Sequence, residues 1–409
     1  MIECKACTNY YGSFFLKSIT VRWLFLNGKA WLNFHKIYKK RIRQSIIIAI
    51  AKLLSCRTKF RGYKQYKCSN EKCNNTMRVP HTCKSKACSS CGKKATSIWI
   101  AKQNNILPNC EWQHITFTMP SELWDLFWYN RGLLNKIAKL ASDCIKVIAD
   151  KKDVTPAIFT ALHTFGRDLK RNVHVHLSTT RIGLHKSGKK LKKLFFKQIS
   201  LMKMWKYRII TLFRESDIVV PSSLARRFNN SYTFAEFLNS LYAKDWIVHC
   251  SKATSNHTVN VNYLGRYIKR PPIANSKLQH YDGNSVTLKS LDHKTKTFKI
   301  STFSIFEFIS RFIQHIPDMG FRMIRYYGLL ANRVRSKLLP TLYRLLGQNS
   351  KGQITFPSFV SLIISNFRYD PMKCPKCKCQ MLLSYSVYSC TNTYNLLLNH
   401  SQLAANKFS

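Results

Sequence analysis

Asn172-Val-His174-Val-His176-Leu177 sets two imidazoles two residues apart among aliphatic neighbours. On a β-strand alternate side chains share a face, so His174 and His176 would project together, about 7 Å apart at the backbone. Two imidazoles presented this way can hold one divalent metal, which would polarise a phosphate oxygen and orient a scissile bond. A purely structural role for the pair is equally open on this evidence alone.

Further along, Tyr263-Leu-Gly-Arg-Tyr267-Ile-Lys-Arg270 places two phenols at i and i+4, on one face if the segment is helical. A phenol with a pKa of about 10 is a poor nucleophile unaided, but beside cations it can attack phosphorus and keep the bond energy in a covalent ester. Packing is the ordinary use of such a pair. Arg266, Lys269 and Arg270, which a buried aromatic stripe would not explain, favour a DNA-contacting reading.

The charge balance points the same way. The chain has 67 Lys and Arg against 18 Asp and Glu, a formal net charge of +49, so even complete pairing leaves most cations needing a polyanion. Eighteen carboxylates in 409 residues also make a three-carboxylate, two-metal centre hard to assemble. Membrane-surface and translation-apparatus proteins share a basic balance. However, the longest apolar run, 46–50, cannot span a bilayer, and the start lacks a secretory pattern. The expectation is a soluble cytoplasmic protein, nucleoid-associated while acting, with no membrane partner.

Fifteen cysteines occur mostly in clusters. Cys68 and Cys73, followed by Cys88 and Cys91, form two short-spaced pairs that could give a tetrahedral zinc its four ligands; Cys56, Cys83 and His81 are candidates for a second site. Lys64, Lys67, Lys72, Arg78, Lys84, Lys86, Lys93 and Lys94 run through this module, so structural Zn²⁺ would brace a DNA-gripping surface. Cys374-Pro-Lys-Cys377, with Cys379 and Cys390 behind it, suggests a separate zinc knuckle; a redox pair is the alternative. Cys4 and Cys7 form an isolated, unexplained CxxC.

These groups need elements to hold them. Period-two patterns predict strands at 114–119 and 172–177, and a pair at 285–288 and 296–300. Helical patterns cover 46–54, 123–148, 195–213, 308–315 and 322–346. The sum is an α+β chain with antiparallel pairing. Its expected parts are 1–45, an extension and helix; 46–102, a zinc-binding DNA-contacting domain; 103–290, the nuclease domain; 291–370, a strand and helical region; and 371–409, a CxxC tail.

Several motifs occur together in one order: His81-Thr-Cys-Lys-Ser-Lys-Ala-Cys-Ser-Ser-Cys-Gly92, Thr116-Phe-Thr-Met-Pro120, His163-Thr-Phe-Gly-Arg-Asp-Leu-Lys170 running into His174-Val-His176, Tyr263-Leu-Gly-Arg-Tyr267, and Arg325-Tyr-Tyr-Gly-Leu-Leu-Ala-Asn-Arg333. In these the sequence resembles the insertion-sequence-91 family of rolling-circle transposases, of the two-tyrosine, His-hydrophobic-His nuclease class, over roughly residues 30 to 380. The resemblance implies a sheet platform with the histidine strand at its centre and the tyrosine helix alongside. It further implies that His174 and His176 hold a catalytic Mg²⁺ or Mn²⁺. Tyr263 and Tyr267 would attack in turn, leaving the protein on a 5′ end of single-stranded DNA at the element ends.

A third metal ligand is usual in this class, and His163 and His249 are the candidates. At Thr180-Arg181-Ile182-Gly183 relatives carry a more glycine-rich turn, a departure that bears on the pocket. A replication initiator or relaxase of the same class, a zinc-dependent DNA-binding regulator and an inactive copy are the alternatives.

Overall fold

The histidine motif lies in the longest strand of the protein's described part, and a sheet is built outward from it. The computed structural model describes residues 19–166, 168–226, 233–255, 257–268, 271–291, 295, 297–349 and 358–388. Its strands, in chain order, are β1 (Gly62–Cys68), β2 (Thr76–Pro80), β3 (Trp112–Phe117), β4 (Val154–Phe165), β5 (Arg171–His185), β6 (Leu191–Lys193), β7 (Val248–Cys250), β8 (Leu278–Tyr281), β9 (Ser285–Leu291), β10 (Phe298–Ser304), β11 (Ile324–Gly328) and β12 (Met381–Tyr388). The main sheet runs β11-β4-β5-β3-β7, with β6 added to the far end of β5. All its pairings are antiparallel, and β5 is central. The α+β expectation holds.

Alternation gives this sheet two unlike faces. Val173, Val175 and Leu177 of β5 join Ile115, Phe117, Ile158 and Leu162 on one side. There they bury against helices Leu134–Asp150, through Ile137, Ala141 and Ile145, and Gln198–Arg214, through Leu201, Trp205 and Ile209. The other side holds Trp112, Ala157, Phe159 and Ala161, packed with Trp99 and Ile106 of helix Ser89–Ile106 and with Val261 of helix His257–Ile268.

Two helical expectations are corrected. The run 123–148 is two helices, Glu122–Tyr129 and Leu134–Asp150. Between them Asn130 ends the first, its side-chain amide donating to the carbonyls of Leu126 and Val219. The run 322–346 opens as strand β11 and only then becomes helix Asn332–Leu345. Gly328 makes that change possible: it sits at φ 57°, and a Cβ there would lie 2.0 Å from the Pro156 carbonyl oxygen.

Chain order does not follow spatial order. Strands β8, β9 and β10, with helix Ile305–Ile313, share a core with the N-terminal helices through Phe25, Trp31, Ile50, Phe308 and Phe312. The last described strand, β12, pairs with β1 from Gly62↔Tyr388 to Cys68↔Met381.

The turn between β4 and β5 is held from below by His315, which is 5% exposed. Its Nε2–H donates to the Leu169 carbonyl at 2.9 Å, and its Nδ1 accepts from the Thr164 hydroxyl at 3.3 Å. Burial lowers its pKa to about 4. Between there and the ordinary His value of about 6.5 the unfolded chain binds the extra proton, so this group's contribution is complete above pH 6.5 and is lost as pH falls toward 4, at no more than about 1.4 kcal/mol per pH unit. Urea midpoints taken from pH 7 to pH 4.5 should therefore fall less steeply for His315→Gln than for the parent; identical slopes would contradict the assignment.

Candidate active site and metal centres

On the second face of the sheet, pairing across strands assembles histidines that are distant in sequence. His163 on β4 is the register partner of His174 on β5, and Thr116 on β3 is the partner of His176. Ring centroids are 5.2 Å apart for His163 and His174, 4.7 Å for His163 and His176, and 4.9 Å for His174 and His176. Candidate ligand atoms of these three lie within 4.8 Å of one another. His163, one of two candidates for a third ligand, is therefore the one that meets the pair. His249 sits on β7 with its side chain exposed, outside the trio.

A hydrogen bond sets the tautomer of His174. His174 Nδ1 is 2.8 Å from the Asn172 carbonyl oxygen, which can only accept, so its proton is on Nδ1 and Nε2 carries the lone pair. His176 Nδ1 lies 3.1 Å from His114 Nε2. The Leu177 carbonyl accepts from His114. His114 Nδ1 lies 3.5 Å from Ser178 Oγ, so one proton is shared between the facing nitrogens of His114 and His176 in whichever direction the His114 tautomer dictates. Thr116 Oγ1 lies 3.2 Å from His114 Nε2 and 3.4 Å from His176 Nδ1, closing the arrangement.

Burial keeps these rings neutral. His176 is held well below the usual value by desolvation and then by His163, His174 and His114. Desolvation lowers His174 too, against the bond to Asn172, and takes His114 to about 4, with His249 contributing. Neutral imidazoles whose ring nitrogens converge to within 4.8 Å are a donor set that a divalent cation can use, so the residues present fit a metal.

Helix His257–Ile268 lies on this same face, with Val261 fully buried among Trp99, Phe159 and Ala161. Tyr263 and Tyr267 occupy positions one turn apart on it; their side chains, and that of Arg266, lie outside what the structure describes. So do Lys269 and Arg270 entirely. Gly265, between the tyrosines, packs closely on helix Ser89–Ile106: a Cβ there would lie 2.7 Å from Ile100 Cγ1.

The same helix Ser89–Ile106 starts at a cysteine cluster, and here the expected grouping is corrected. Cys88 and Cys91 meet Cys56 and Cys83, not Cys68 and Cys73. Sulfur separations are 3.8 Å for Cys56 and Cys91, 3.5 Å for Cys83 and Cys91, and 3.7 Å for Cys88 and Cys56. A tetrahedron with Zn–S of about 2.3 Å has edges of about 3.8 Å, whereas a disulfide needs about 2.05 Å. The crowded thiols split, Cys91 and Cys56 pulled down by hydrogen bonds from their neighbours and Cys83 and Cys88 pushed up, which a cation would relieve. His81 belongs to neither cluster; its ring stacks on Tyr388 at 4.9 Å. Cys68 and Cys73 approach Cys374 and Cys377 instead. Cys4, Cys7 and Cys390 lie outside the described residues.

Lys67, Lys72, Arg78, Lys84, Lys86 and Lys93 are exposed around these clusters. No helix among the described residues is long and apolar enough to cross a membrane.

Comparison with known proteins bears directly on this assembly. The family described as a putative transposase matches residues 157–337, which contain all three clustered histidines and both tyrosines, and the transposase zinc-binding domain matches 28–119. The transposase for insertion sequence element IS801 of Pseudomonas savastanoi pv. phaseolicola is 37% identical over 94% of each chain. This chain belongs to the insertion-sequence-91 family of transposases. A putative transposase of Sinorhizobium fredii, y4qJ, is 26% identical over 72% of this chain and 76% of its own. No solved structure matches. Membership in this family favours the transposase over the binding-only regulator, and its zinc-binding domain agrees with a structural role for Zn²⁺ at the cysteines.

His114 and Thr116 went unassigned in the sequence, although their own i, i+2 spacing in a predicted strand was a signal of a shared face. The close approach at Gly265 yields a test of how the tyrosine helix is seated. Gly265→Val should lower transposition by about 100-fold, as a displacement of about 1 Å does to a tightly oriented reaction, while zinc content and cooperative unfolding persist. Full activity in this variant would mean that the helix contact does not position anything.

Proposed function

We propose that this transposase cuts and rejoins single-stranded DNA at the ends of its element through a covalent 5′-phosphotyrosine, as a rolling-circle element requires. The observation that carries the reading is the placement of three clustered imidazoles, His163, His174 and His176, on the sheet face that also seats the helix of Tyr263 and Tyr267. Mg²⁺ or Mn²⁺ held by these histidines would draw charge from a non-bridging phosphate oxygen.

The chain's own groups do the rest. The three histidines orient the scissile phosphate against the tyrosine helix, and the Nδ1 contacts with Asn172 and His114 keep the rings of His174 and His176 aimed. Tyr263 or Tyr267 loses its phenolic proton and its oxygen attacks phosphorus. The P–O3′ bond breaks, and the departing 3′ oxygen takes up a proton to become a free hydroxyl. Reversal by another 3′-hydroxyl rejoins the strand and returns the phenol. A second tyrosine lets one strand stay bound while another is cut. Arg266, Lys269 and Arg270 supply positive charge beside the attacking groups, and the zinc-braced module grips DNA with its exposed lysines.

The test is a denaturing gel of labelled single-stranded DNA from the element ends, incubated with the purified protein and Mg²⁺, Mn²⁺ or EDTA. The expected result is a divalent-dependent, protease-sensitive adduct. It should disappear in His163→Ala, His174→Ala and His176→Ala, each of which retains its zinc. In His114→Phe, Mn²⁺ affinity read by calorimetry should drop by about 10- to 100-fold, the usual effect of losing an outer-shell partner, with partial recovery in His114→Gln. Adduct formation that survives EDTA and all three alanine variants would refute the proposal.

A further inference from the structure

The N-terminal zinc-binding region supplies only half the ligands of one of its two cysteine clusters. Cys68 and Cys73 bracket the turn after β1, and the other two sulfurs arrive from the far end of the chain, on the turn that leads into β12. Cys68 and Cys377 are 3.3 Å apart at sulfur, and Cys73 and Cys374 are 3.7 Å apart. These separations again suit a tetrahedral edge and not a disulfide.

The backbone around the sulfurs adds an independent observation. Among the described residues, eight besides glycine adopt positive φ, and four of them directly follow a clustered cysteine: Arg57, Asn74, Lys84 and Lys378. Each cluster holds two such turns, so the second repeats the backbone of the first. A left-handed residue costs about 1 kcal/mol or more and persists where something over-determines it. Here the turn aims amide hydrogens at sulfur. The backbone N–H groups of Asn70, Asn75, Lys376, Cys377 and Cys379 donate to cluster sulfurs, and Asn75 Nδ2 adds a bond of 3.4 Å to Cys374. Donors converging on sulfur favour thiolates, and four thiolates at this separation require a cation.

We infer that Cys68, Cys73, Cys374 and Cys377 form a second Zn²⁺ site, which staples the C-terminal strand β12 to the β1–β2 hairpin of the N-terminal module. Four sulfurs in a tetrahedron select zinc over the oxygen-seeking cation of the histidine face. The matched zinc-binding region, residues 28–119, is thus incomplete by itself. Its hairpin, with exposed Lys67, Lys72 and Arg78, acquires its final form only when residues 374–388 have been made and docked. Met381 and Tyr66, buried with Met77 beside the sulfurs, are too small a core to hold this three-stranded sheet without the metal.

The inference is independent of the strand-cutting chemistry. It is tested on full-length protein carrying His174→Ala and His176→Ala, so that zinc cannot lodge at the histidine face, with metal content measured by mass spectrometry. Two zinc ions per chain are expected, and one in the additional Cys374→Ser/Cys377→Ser and Cys68→Ser/Cys73→Ser variants. Combining all four serines should still leave one, since both pairs serve a single ion. Cobalt substitution guards against misfolded variants: the unsubstituted cysteines should show the thiolate-to-cobalt absorption of two tetrathiolate sites. One zinc per chain, absorption of a single site, retention of two ions in either pair variant, or iron in place of zinc would overturn the assignment.

Discussion

The pairing of β5 with a strand on each side is the constraint on which the site depends. Because β5 is central and its side chains alternate, the burial of Val173, Val175 and Leu177 on one face forces His174 and His176 onto the other. A one-residue slip would exchange the faces and put imidazoles into an apolar core, so the hydrophobic pattern that stabilises the sheet also aims the histidines. Register then does the assembling: β4 brings His163 opposite His174, and β3 brings Thr116 opposite His176.

The second layer of the site is linked to the zinc module by one helix. Ser89–Ile106 begins at Cys88 and Cys91 and reaches the tyrosine helix at Ile100 and Gly265. A tetrahedral zinc that fixes the start of this helix would therefore also fix the surface against which the tyrosines are seated. DNA gripped by the basic module and DNA presented to the histidine face would be held in one frame. The close glycine contact leaves little room for independent movement of the two helices.

What could be read from the sequence follows from the range of the signals. The spacing of His174 and His176, the i and i+4 tyrosines and the strand alternation are local, and the structure has the expected strand and helix at those places. Cysteine grouping is not local: short spacings show that pairs exist, but which pairs share a tetrahedron depends on the docking of β12, some 300 residues from its partner strand in sequence. His163 was visible only as one of two candidates, because its role comes from the register of β4 with β5. At β11 a helical pattern misled, since Tyr326 and Tyr327 are held in a strand by pairing with β4 and released by Gly328.

On the proposed mechanism, a tyrosine on the helix seated on the histidine face of the sheet becomes joined to DNA. The most direct measurement is peptide mapping by mass spectrometry of the protein after reaction with single-stranded element-end DNA and nuclease trimming. The expected result is a nucleotide mass on a peptide containing Tyr263 or Tyr267, with none elsewhere. A nucleotide attached to a different residue, or cleaved DNA with both tyrosines unmodified at every time point, would contradict it.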